Sequence, residues 1–224
     1  MEIWAIRHPV SIGNELSIHQ GQDPSAPGLS SRGFIQAFRI AQFLRSFHIL
    51  KIWSSPLLRT MQLARVIKNG CDPLLPIIVE PDLLEMTNGV VDGLSLTEIK
   101  KKFPQGWKKW EQNVIDHPCF PGGESIKAVA ERGVKTMRKI ARLSFPLPEN
   151  YYEPNNIVVL VSHGTLLEAA LACLAGKGLG NRRNFIQKNG CINFLRWSWL
   201  GLEVTHTNFI GHLGDTDFSP GIEL

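Results

Sequence analysis

Residues 157–161, Ile-Val-Val-Leu-Val, form an unbroken and largely β-branched apolar run. A strand with one wet face alternates apolar and polar residues, so a run without alternation fits a strand covered on both faces, as in a parallel sheet. Residues 2–6 and 50–53 read the same way, and 77–79, after Pro76, is a weaker fourth strand. Helical patterns lie between them. Beyond Gly33, the apolar positions Phe34, Ala37, Phe38, Ala41, Phe43 and Leu44 favour one face. A second helix is expected to open on Ser55 as N-cap with Pro56 at its first position, followed by Leu57, Met61, Ala64 and Ile67 at helical spacing. Ile126, Val129, Gly133, Met137 and Ile140 mark a third helix, and Leu167, Ala170, Leu171 and Leu174 a fourth that stops near Gly176. Strand alternating with helix predicts an α/β fold, a three-layer sandwich with a mostly parallel central sheet. Residues 191–199 and 203–210 read as a closing hairpin, and 211–224, rich in Gly, Asp and Pro, as a loose tail.

Composition removes several function classes. The net charge of +4 is mild and no basic stripe stands out, so no nucleic-acid partner is expected. No apolar run approaches the ~20 residues of a membrane span, and the first residues lack the basic-then-apolar order of a secretory signal, so a cytoplasmic protein without membrane contact is expected. Cys71, Cys119, Cys173 and Cys191 are irregularly spaced, which predicts reduced thiols and no metal site.

In open parallel sheets ligands bind beyond the carboxyl ends of the strands. Arg7-His8, Ser54-Ser55-Pro56 and Ser162-His163-Gly164 each follow a predicted strand directly and should meet on one rim. Singly these are ordinary residues: a histidine after a strand is usually structural, and an arginine such as Arg59 in a first helical turn is usually a solvated charge that opposes the helix dipole. Together, two histidines and two arginines would crowd up to four cations into one small volume. Such a cluster calls for an anion, and phosphate is the obvious one.

These residues fall in the order of a known family. Ile6-Arg7-His8, Asn14-Glu15, Gln20-Gly21-Gln22-Asp23, Leu29-Ser30-Ser31-Arg32-Gly33, Ser54-Ser55-Pro56-Leu57-Leu58-Arg59-Thr60, Leu83-Leu84-Glu85-Met86, Asp92-Gly93-Leu94, Gly122-Gly123-Glu124-Ser125 and Val161-Ser162-His163-Gly164 resemble successive motifs of the histidine phosphatase superfamily, whose fold is phosphoglycerate mutase-like. The resemblance runs through residues 1–213. It implies one domain over 1–213 with a lid segment at about 81–123, and a tail at 214–224. It implies a phosphatase that needs no cofactor and acts on a small-molecule phosphate ester. His8 would be the nucleophile, giving a phosphohistidine. Its other ring nitrogen should donate to a backbone carbonyl, so that the ring is neutral and able to attack. Arg7, Arg59 and His163 would bind the phosphoryl oxygens, and Glu85 would be the acid and then the base. Asn14, Gln20 and Gly164 would contact phosphate or substrate.

Pro9 departs from the pattern, which has glycine there. Proline fixes φ and removes a backbone N–H, which leaves a weakly active member that binds phosphorylated ligands as one alternative. A phosphoglycerate mutase-type transferase is another, although the lid is short for a mutase. That stretch carries Lys100, Lys101, Lys102, Lys108 and Lys109 among Phe103, Trp107 and Trp110. It reads either as a recognition surface for a bulky or polyanionic ester or as amphipathic helix with solvated lysines.

Overall fold

The computed structural model describes residues 1–145 and 156–216. Six strands form one sheet in the order β3-β2-β4-β1-β5-β6. The strands are β1 Glu2–Arg7, β2 His48–Ser54, β3 Ile77–Val79, β4 Asn156–Ser162, β5 Ile192–Ser198 and β6 Gly201–Phe209. The first four pair in parallel, while β5 runs antiparallel to both β1 and β6.

The residues of β4 explain its place. All seven are buried, with Val158 and Leu160 in one core and Ile157, Val159 and Val161 in the other. Its neighbour β1 divides likewise, Ile3 and Ala5 to one side and Trp4 and Ile6 to the other. A sheet with two dry faces needs helices on both, which gives the three layers expected from the sequence.

One face is covered by α2 (Ser31–Leu44) and α3 (Leu58–Cys71). The other is covered by α6 (Ile126–Ser144) and α7 (Gly164–Leu174). Gly133 lets those two approach closely, since a Cβ there would stand 2.9 Å from the Ala170 Cβ. Beyond these four lie the short α1 (Ile12–Glu15), capped by Ser11 and Asn14, and α4 (Leu96–Lys102) and α5 (Pro104–Glu111), whose Ile99 and Trp110 join the core on the α6–α7 side. In these last two, Ile99 and Trp110 are buried and the lysines exposed, with Lys100 Nζ 4.7 Å over the Trp107 ring and Lys102 paired to Glu98. The stretch is therefore amphipathic helix with solvated lysines.

Three expectations need correction. Helix α3 begins at Leu58, not at Ser55-Pro56, and its N-cap Leu57 makes no side-chain hydrogen bond. The hairpin turn is tighter than expected because Gly201 takes a φ of 116° and already belongs to β6. The stretch Gly211–Thr216 is not loose: it forms helical turns that bury Leu213 against the α2 side, and Gln36 Nε2 donates to the Thr216 carbonyl at 2.9 Å. The rest of the expected tail, 217–224, lies outside the described residues. No described helix is long and apolar enough to cross a membrane.

Candidate active site

Because β1, β2 and β4 are parallel, their carboxyl ends share one rim. Arg7 is level with Ser162, and Ser54 with Val161. The His8 N–H donates to the Ser162 carbonyl at 3.0 Å, and the Ser55 N–H to the Val161 carbonyl at 3.1 Å. Arg7, His8, Asn14, Gln20, Arg59, Glu85 and Gly164, scattered over more than 150 residues of chain, all line one cavity of about 90 Å³. His163 is also at the rim but stands behind the wall: it is fully buried, with its ring 5.3 Å from that of His8 and nearly edge-on.

His8 is held in one tautomer. Its Nδ1 lies 2.7 Å from the Pro9 carbonyl oxygen, and Arg59 Nε donates to its Nε2 at 3.3 Å. Nδ1 therefore carries the proton and Nε2 the lone pair. Burial, then the nearby Arg59 and Arg7, hold its pKa well below the usual imidazole value, against the pull of the Pro9 carbonyl. His163 is held low as well, by burial first and then by Arg59 and His8. The rim thus carries two cations rather than four. Position 9 contributes a carbonyl, which proline keeps.

The Ser55 hydroxyl lies 2.8 Å from His163 Nε2. The serine that resembles a helix cap in sequence is spent on a histidine instead, and the helix starts three residues later. With that hydroxyl donating to Nε2, the proton of His163 sits on Nδ1, which is buried and has no partner within the protein.

The arginines are fixed by backbone. Arg59, almost fully buried, donates from Nη2 to the Gly21 carbonyl at 2.9 Å, and burial lowers its pKa to about 10. Arg7 donates to the Gln187 carbonyl. Gly164 leaves room for this placement, since a Cβ there would lie 3.3 Å from the guanidinium of Arg7.

Glu85 sits at the N-terminus of α7, where free backbone N–H groups point out of the helix. Its carboxylate accepts from Thr165 N and Leu166 N, both at 3.2 Å, and from Met86 N at 2.8 Å. Glu80, five residues earlier in the chain, is paired instead with Lys139 at 2.7 Å. Asn14 Oδ1 is occupied by Ser11 and by Asn189, so any ligand contact falls to its amide group. Gln20 Nε2 donates to the Ser11 hydroxyl at 2.8 Å.

Several residues of the site carry no local signal in the sequence. Arg132 on α6 makes a two-pronged pair with Glu124, at 3.1 and 2.9 Å, and also donates to the carbonyls of Asp82, Leu84 and Glu85. It thereby fixes the segment that presents Glu85. Asn189, before β5, donates to the His8 carbonyl at 3.2 Å. His19, Asn88 and Glu168 also line the cavity, beside Trp110 of the lid stretch.

The low histidines make a prediction about stability. In the unfolded chain both titrate near 6.5, whereas the folded chain keeps them neutral to well below that. The unfolded state therefore binds more protons as pH falls below about 6.5, and stability is lost in that direction by about 1.4 kcal/mol per pH unit for each histidine. Urea unfolding between pH 7 and pH 5 should show this slope, and a phosphate-like anion in the site should reduce it. A flat profile would contradict neutral, buried histidines.

The model of the histidine phosphatase superfamily (branch 1) matches residues 3–209. A probable phosphoglycerate mutase of Erwinia tasmaniensis is 26% identical over 221 residues, spanning 96% of each chain. A phosphoserine phosphatase of Hydrogenobacter thermophilus is 28% identical over 217 residues, spanning 96% of this chain and 95% of the other. Among solved structures, a mycobacterial glucosyl-3-phosphoglycerate phosphatase in complex with VO3 superposes with a TM-score of 0.79 at 26% identity, covering 93% of this chain and 99% of that one.

Proposed function

The chain belongs to the histidine phosphatase superfamily, and we propose that it is a phosphomonoester hydrolase working through a phosphohistidine on His8, without a metal ion. The observation that carries this reading is the state of His8: neutral, protonated on Nδ1 toward the Pro9 carbonyl, with Nε2 facing Arg59 in the cavity. A phosphoryl group entering the cavity takes over the Arg59 N–H and frees the Nε2 lone pair. Nε2 then attacks phosphorus, the ester P–O bond breaks, and protonated Glu85 gives its proton to the departing oxygen. In the second half Glu85 takes a proton from water, the water oxygen attacks phosphorus, and the N–P electron pair returns to Nε2. Arg7 and Arg59 hold the non-bridging oxygens throughout, and the Nδ1–H of His163, which has no partner in the protein, joins them once a phosphoryl group is on His8. Two fixed guanidiniums supply the positive charge that a metal ion supplies in other phosphatases.

The lid role belongs to this reading too. Glu85, Asn88 and Trp110, all from 81–123, line the cavity, which supports that stretch as the cover of the site.

A panel of phosphate esters assayed with chelator present tests the proposal. Release of inorganic phosphate at an undiminished rate is expected. Isomerised product without free phosphate would favour the mutase activity that the name of one relative suggests, and silence on every ester would leave only ligand binding.

A further inference from the structure

Building on the phosphatase reading above, we propose that the leaving-group side of this cavity selects an uncharged, hydroxyl-bearing ester, a small polyol phosphate, and rejects esters that carry a carboxylate. Beyond the phosphoryl cradle the wall is built from Ile18, His19, Gln20, Asn88, Trp110 and Glu168. Four side-chain atoms there, His19 Nε2, Gln20 Oε1, Asn88 Oδ1 and Trp110 Nε1, are buried with no hydrogen-bond partner in the protein. Among the described residues only three other buried side-chain atoms share that condition, and two of them, Arg7 Nε and His163 Nδ1, belong to the phosphoryl end. Native proteins rarely leave such atoms unpaired, because each one costs free energy. Four gathered in one wall mark a surface shaped for a polar guest.

The chemistry of the four atoms narrows the guest. Asn88 Nδ2 lies 3.3 Å from His19 Nδ1. With that amide donating, His19 carries its proton on Nε2 and presents a donor. Trp110 Nε1–H is a second donor, while Asn88 Oδ1 and Gln20 Oε1 are acceptors. A hydroxyl both donates and accepts, so neighbouring hydroxyls complement all four, whereas a carboxylate satisfies only the donors.

Charge points the same way. On this side of the cavity the formal charges in the wall are those of Glu85 and Glu168. Arg182, nearly fully buried, is already paired with Glu168, donates to Asn113 at 2.7 Å and packs 5.0 Å from the Trp110 ring. It steadies the wall from behind. The lysines of α4 and α5 are not part of the wall. With Arg182 already paired to Glu168 and Glu85 protonated when it acts as the acid, an anionic leaving group would meet no free cation in this part of the wall, and its desolvation would go uncompensated.

The test compares kcat/KM for glycerol 3-phosphate, erythritol 4-phosphate, 3-phosphoglycerate, phosphoserine, phosphoethanolamine and p-nitrophenyl phosphate on the full chain. A polyol phosphate is expected to exceed 3-phosphoglycerate and phosphoserine by about tenfold or more. Trp110→Phe keeps an aromatic face and loses the N–H together with the five-membered ring that carries it, and Asn88→Ser shortens an acceptor. Each should lower the ratio of polyol to aryl phosphate turnover by roughly five- to tenfold, the loss of one neutral hydrogen bond. If the aryl ester is hydrolysed but a carboxylated ester or phosphoethanolamine matches the polyols, the selectivity proposal falls and the phosphatase reading stands. It falls likewise if neither variant, with an unchanged melting temperature, moves the ratio. If no ester is hydrolysed, the phosphatase reading itself fails.

Discussion

His8→Ala should lower kcat/KM by about 10⁴–10⁶-fold, the scale set by removing a nucleophile from a group of residues that act as a unit. Rapid quenching of the wild type with a ³²P-labelled ester should trap label that is stable to base and labile to acid, and the variant should trap none. The substitution also strands two neighbours, since the Pro9 carbonyl and Arg59 Nε both lose their contact with the ring. A stability cost of about 1–3 kcal/mol is expected from this, so the comparison belongs at a temperature where circular dichroism shows both proteins folded. Turnover near the wild-type level in folded His8→Ala would overturn the mechanism.

Glu85→Gln should act through the leaving group. An alkyl phosphate departs as a strongly basic alkoxide and needs its proton in the transition state, so its rate should fall by about 10²–10⁴-fold. A nitrophenolate leaves without help, and its ester should slow by less than about tenfold. Glutamine also disturbs the cap on α7, because one amide oxygen replaces two carboxylate oxygens that accept from Thr165 and Leu166. That disturbance would slow both substrates alike. A steeper dependence of rate on leaving-group pKa separates loss of an acid from loss of a cap, and equal slowing would count against the acid role.

Much of the site was readable because the sheet brings consecutive motifs to one edge. Once residues 157–161 are taken as a strand buried on both faces, the positions after each parallel strand must meet, and Arg7, His8 and Ser162-His163 do. Glu85 was harder to place from local pattern, since it follows a short helical turn and depends on α7 for its orientation. The failures have physical reasons. Ser55-Pro56 has the composition of a helix start, but the serine hydroxyl is claimed by His163, more than 100 residues away. Residues 211–216 look like a tail by composition, yet Leu213 finds a place under α2. Arg132, Asn189 and His19 reach the site from elements whose own periodicity speaks only of packing or turns, so nothing in their neighbourhoods points to it. Pro9 illustrates the reverse: it departs from the family pattern, yet the contact the structure shows there is made by a carbonyl that every residue possesses.

The central position of β1 sets a timetable for synthesis. The strand that presents Arg7 and His8 is bordered by β4 on one side and β5 on the other, which emerge roughly 150 and 185 residues later. At ~5–20 residues per second, that strand waits on the order of ten to forty seconds for its neighbours. During that wait Trp4 can meet Phe43 and Phe47 but not Phe194, and the strand lacks both of its pairing neighbours. A ribosome-bound chain halted before β5 should therefore be inactive and dependent on chaperones, and activity should first appear, all at once, after the closing hairpin has left the exit tunnel.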